Sequence, residues 1–92
     1  MAYYNNDNKE YIVVFQSYNG AIYLYNKLLR ERCKAEIIST PCRISAGCTQ
    51  SIKFKCEYMD IVQKNLKLYN IPIKGIYEIV KSNKRFNYVK IM

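Results

Sequence analysis

The chain contains no histidine. That removes the commonest general base, the Ser-His and Cys-His pairs of nucleophilic catalysis, and every zinc site that needs an imidazole. Tryptophan is absent as well, which decides nothing about chemistry. No stretch approaches the roughly 18 apolar residues that cross a bilayer, so no integral membrane segment and no membrane partner are expected. The amino terminus, Met1 to Lys9, is polar and lacks the apolar centre of a secretory signal, which points to a cytoplasmic protein. In that reducing compartment Cys33, Cys42, Cys48 and Cys56 read as thiols and not as two disulfides. None forms a C-x-x-C pair, which argues against a zinc ribbon and a thioredoxin-type site; no metal and no cofactor are expected.

What is present is enough for one domain. The chain has 92 residues, half of them hydrophobic, and 24 % are charged, close to the globular average. Such a length buries a single core without obligatory staples. The formal net charge is +8, and two readings of it compete. One is an anionic partner. The other is compositional: 11 of the 15 basic residues are lysine, beside abundant Ile, Asn and Tyr, as an A/T-biased genome would produce. The charge is spread along the chain, except that Lys81, Lys84, Arg85 and Lys90 follow the last acid, Glu78.

Residues 1–9 read as a flexible tail and residues 10–81 as a single domain. The run Tyr11 to Phe15 is β-branched or aromatic throughout and suits a strand buried on both faces. Asn19-Gly20 is a hairpin signal. It is overruled by Ala21, Leu24, Tyr25, Leu28 and Leu29, which recur at helical spacing and predict a helix from about Tyr18 to Cys33 with Ser17 as N-cap. Ala35 to Ser39 reads as a second strand, stopped by Pro41. Ser51 to Cys56 alternates, with Ile52, Phe54 and Cys56 on one face and Lys53 and Lys55 on the other. A second helix is expected over about Tyr58 to Tyr69, with Asn70 as a left-handed cap, and a fourth strand over Gly75 to Lys81. The order β-α-β-β-α-β is that of a ferredoxin-like split βαβ fold of the α+β class, with two helices on one face of a four-stranded antiparallel sheet. Residues 82–92 form a basic C-terminal tail or an edge strand.

The chemistry concentrates in the loop from Thr40 to Gln50. It holds Cys42 and Cys48 among Ser, Ala, Gly and Thr, residues that leave sulfur accessible. In a split βαβ fold this loop shares an edge with the start of the first helix, near Ser17. Cys48 there would face helix N–H groups, with Arg43 close by. A thiol near pKa ~8.5 is only about 3 % ionised at pH 7, and lowering it to ~7 would ionise about half. An inert loop cysteine is the competing reading. Cys33 and Cys56 read as buried small hydrophobes. Cys42 reads as a resolving thiol or as a mere neighbour.

The stretch Pro41-Cys42-Arg43-Ile44-Ser45-Ala46-Gly47-Cys48 resembles the signature loop of a family of small bacterial selenium/sulfur carrier-like proteins. Tyr11 to Ser17 and Gly75-Ile76-Tyr77-Glu78-Ile79 resemble the family's opening and closing segments, in the right order. The resemblance implies that Cys48 is the signature cysteine and that Pro41, Ile44 and Ser45 shape its loop; Gly47 beside the thiol is a further candidate for shaping it. The chain departs from the family pattern in carrying Thr49 after that cysteine, where Gly is frequent, and Cys42 after the proline, where Arg is frequent.

The leading expectation is a carrier, rather than a turnover enzyme, in which Cys48 takes up sulfur or selenium and passes it to a protein partner. Lys53, Lys55 and the basic tail are its candidate docking groups. Two alternatives stand beside it: a small nucleic-acid-binding module and an interaction domain without chemistry. The segment Lys53 to Tyr58 lacks the Gly-flanked aromatic signature of RNA-recognition sheets, which counts against the former.

Overall fold

A computed structural model describes residues 9–44, 50–82 and 85–92. The elements are β1 (Glu10–Phe15), α1 (Tyr18–Arg30), β2 (Ala35–Ser39), β3 (Gln50–Lys55), a 3₁₀ turn (Cys56–Tyr58), α2 (Met59–Leu68), β4 (Ile73–Ser82) and β5 (Arg85–Lys90). The fold is α+β, with two helices and an antiparallel sheet of strand order β2-β3-β1-β4-β5. Each helix links two strands that run parallel with one antiparallel strand between them. The sheet has five strands and not the expected four. Residues 85–90 pair along β4 from Ser82↔Arg85 to Tyr77↔Lys90. Their alternation is hard to read in sequence because Asn87 and Lys90 interrupt the apolar residues.

Side-chain alternation divides the sheet into two faces. On one, Val13, Phe15, Ile52, Phe54 and Ile76 pack against Ala21, Leu24 and Leu28 of α1 and Val62 and Leu66 of α2. On the other, β1 presents Ile12 and Val14, and these too are only 1 % and 0 % exposed. Burial of β1 on both faces is what its unbroken apolar run requires.

The helix ends follow from local chemistry. Ser17 has extended backbone and its Oγ accepts the Gly20 N–H at 3.3 Å, so it caps α1 as expected. The helix stops at Arg30, three residues short of the expected Cys33, because Arg32 turns left-handed at φ 61°. The Cys33 N–H then reaches the Leu28 carbonyl at 2.9 Å and the Arg32 N–H that of Leu29 at 3.0 Å. At the end of α2, Asn70 (φ 51°) repeats the motif, with Ile71 N–H on Leu66 O at 3.0 Å and Asn70 N–H on Lys67 O at 3.3 Å. Both are Schellman closures, and in each the residue after the left-handed position, Cys33 or Ile71, enters the core. Cys56 opens the 3₁₀ turn and is half-buried, where the apolar face of β3 was expected.

Gly75 sits at a bulge, since Val14 pairs with Gly75 but Phe15 with Ile73. The carboxyl-terminal residues lie against it: Ile91 N–H donates to Ile76 O at 2.8 Å and Ile76 N–H to Met92 O at 3.1 Å. A Cβ on Gly75 would stand 3.0 Å from the Met92 carbonyl oxygen and 2.9 Å from Lys90 Cε. Gly75→Ala is therefore expected to destabilise by about 1–3 kcal/mol. Arg32→Gly should stabilise by up to about 1 kcal/mol, since it relieves a left-handed side-chain conformation. Paired thermal melts of the two variants check both signs.

Candidate functional site

Ser39 closes β2 and Gln50 opens β3, and the candidate loop lies between them. Its base is fixed by a buried hydrogen bond between Thr40 Oγ1 and Ser51 Oγ. Ile44 N–H then donates to Pro41 O at 2.9 Å, a tight turn with Cys42 and Arg43 exposed at its corner.

The turn heads for the far side of the sheet. Arg43 Nη1 donates to the Phe86 carbonyl at 3.4 Å and to Asn87 Oδ1 at 3.2 Å, both on β5. β2 and β5 are opposite edges, four strand spacings or roughly 19 Å apart in a flat sheet. Thr40 to Arg43 extended covers only about 10 Å, so the arginine side chain and the twist of the sheet must supply the rest. The described part of the loop, residues 40–44, lies across the helix-free face. Pro41 consequently lines a hollow of about 200 Å³ together with Ile12, Ile38, Ile79, Phe86 and Tyr88, with Glu10 and Lys53 at its margin.

Next to it lies a second cleft of about 330 Å³, lined by Pro41, Cys42, Arg43, Arg85, Phe86 and Tyr88. Arg85 belongs to the basic tail expected to dock a partner; Phe86, Asn87 and Tyr88 escaped the sequence reading as site residues. Their only signal was the weak alternation of the last segment together with its positive charge.

Ser17 is engaged as a helix cap. Ser45, Gly47 and Cys48 lie outside the described residues, as does their expected approach to the first turn of α1. Lys53 and Lys55 share the helix-free face; Lys53 Nζ is 3.5 Å from Glu36 Oε1, and Lys55 is exposed opposite Glu10 in the register. Such a surface ion pair contributes little to stability. Cys33 is buried at 3 % exposure, and burial, with a smaller contribution from the Glu31 carboxylate, raises its thiol above the ordinary value. Among the described residues no group of Cys, Asp and Glu side chains is arranged to hold a metal ion. No helix among them is long and apolar enough to cross a membrane.

Residues 10–78 match the family model described as "Putative Se/S carrier protein-like". The match spans well over half the chain, from β1 into β4, and the protein belongs to this family. No curated protein and no solved structure matches the chain. β5, to which the loop is tied, lies beyond the matched region.

Cys33 generates a pH prediction. Its folded-state pKa is raised, so the folded protein holds that proton more tightly than the unfolded chain does. The resulting stability is fully present below the unfolded thiol value of about 8.5 and is lost as pH rises through the folded value. Tyr11, raised by burial and next by Glu78, acts with the same sign at higher pH. Urea melts across pH should show stability declining above the thiol range, and Cys33→Ala should remove the earlier part of that decline.

Proposed function

We propose that this protein carries sulfur or selenium as a persulfide or perselenide on Cys48 and hands it to a protein partner in the cytoplasm. The observation that carries this reading is the family match, whose span includes the whole loop from Pro41 to Cys48. Thiol chemistry on this chain has to proceed without imidazole, since histidine is absent. Among the other cysteines, Cys33 is buried with a raised pKa and Cys56 is half-buried. Cys42 is exposed on the same loop and is the candidate resolving thiol.

The transfer balances without a redox reagent. The Cys48 thiolate attacks the outer sulfur of a donor persulfide, the donor's S–S bond breaks, and the donor leaves as a thiolate. A new S–S bond now joins Cys48 to the transferred sulfur. An acceptor thiolate repeats the step in the other direction, and selenium follows the same course. Pro41, Ile44, Ser45 and Gly47 shape the loop; Lys53 and Lys55 offer positive charge to the partner. Ser17 acts indirectly, by capping the helix whose N-terminus favours a thiolate.

Intact mass after incubation with a cysteine desulfurase and cysteine tests the reading. The native protein should gain the mass of one sulfur, removable by reductant. Cys48→Ser should gain none while melting at nearly the native temperature, and Cys42→Ser should lengthen the lifetime of the adduct without preventing it. Uptake that persists in Cys48→Ser would refute the assignment.

A further inference from the structure

We propose that the cleft between Pro41–Arg43 and β5, lined by Cys42, Arg85, Phe86 and Tyr88, docks an acidic segment of the protein that exchanges sulfur or selenium with this one. The proposal rests on the carrier reading and adds to it the chemistry of the partner's surface.

Charge is the first argument. The chain has four arginines, and two of them, Arg43 and Arg85, line this cleft, with no acidic residue among its described lining residues. Lys81 and Lys90 share the sheet face, by alternation with Phe86 and Tyr88, and extend the positive charge along β4 and β5. The second argument is the state of the Arg43 guanidinium. Both of its bonds to β5 use Nη1. Among the described residues, Nη2 and Nε, the nitrogens that grip a carboxylate side-on, have no partner, while the group itself is held in place by the bonds already made. Third, a volume of about 330 Å³ admits one or two carboxylate side chains. Phe86, 52 % exposed, supplies apolar contact at the rim.

The same features disfavour a nucleic acid. A single-strand platform needs several open ring faces in a row. Here Lys81 Nζ lies 5.9 Å from the centroid of the Phe86 ring, and Tyr88 is half-buried. The position of the cleft also suits a relay. Cys42 lines it, and Cys48 follows six residues along the same loop, so a segment seated there lies beside the loop that carries the thiol.

Cys42 supplies the readout, because an occupant of the cleft shields it. Alkylation of each cysteine by iodoacetamide is followed by peptide mass, with and without a hexaglutamate peptide. The peptide should slow Cys42 by about five- to tenfold at low salt. That protection should fade as salt is raised, and should disappear in Arg85→Glu, whose exposed site leaves the fold intact by circular dichroism. Arg85→Gln should retain an intermediate protection. Protection unchanged in Arg85→Glu, no protection at all, or stronger protection by oligouridylate than by the peptide would overturn the proposal. Sulfur uptake at Cys48 is read on parallel samples by intact mass, and Cys48→Ser should still show the peptide's protection. Loss of the carrier reading and loss of the docking site are thus separate results.

Discussion

The strand β1 has no face that tolerates water. It lies at the centre of the sheet, hydrogen-bonded to β3 on one side and β4 on the other. Val13 and Phe15 are satisfied by the helices, as in any two-layer α+β domain. Ile12 and Val14 point the other way, and a two-layer domain has nothing there to cover them. At about 25 cal/mol per Å² of apolar surface, leaving two such side chains wet would forfeit several kcal/mol, a large share of the stability of a domain this small. Over Ile12, Pro41 of the loop after β2 and Phe86 and Tyr88 of the strand after β4 supply cover. One central apolar run therefore dictates both the helix packing and the placement of the loop.

That placement gives Arg43 a part beyond the one its sequence position suggests. A lone loop arginine two residues beyond a proline reads as a charge for a neighbouring thiolate. Its contacts with Phe86 and Asn87 also make it the tie between the two edges of the sheet. The loop's base is tied separately, through Thr40 and Ser51. Between these anchors Pro41 restricts the backbone, so covalent geometry and hydrogen bonds act on residues 40–44 together with the packing of Pro41.

The legibility of the sequence varies with how local the deciding physics is. β1, β2 and the Ser17 cap were readable because each depends on a handful of adjacent residues. Asn70 was readable as a left-handed cap because asparagine tolerates that conformation; Arg32 does the same with no such preference, so the end of α1 was placed too late. β5 was legible only as one of several outcomes for the tail, since its pairing with β4 is decided by the β1 face that it helps to cover. The family resemblance pointed to Cys48 and its loop, and the family match covers that loop. The cleft beside Cys42 was not legible, because it joins residues more than forty positions apart.

The two readings of the positive charge are reconciled by separating the two basic residue types. Lysines are scattered over strands, helices and turns, many of them on exposed positions where they cost little, as composition alone would place them. The four arginines are not scattered: Arg30 and Arg32 flank the end of α1, and Arg43 and Arg85 converge on one cleft from opposite edges of the sheet. Arginine's planar fork holds a geometry that lysine's single ammonium does not, so two guanidiniums at one cleft constrain a partner's shape as well as its sign. The net charge of +8 is then mostly background. On the docking proposal, what selects a partner is the small part of that charge fixed beside the loop, where Arg43 already has two of its bonds committed to the fold.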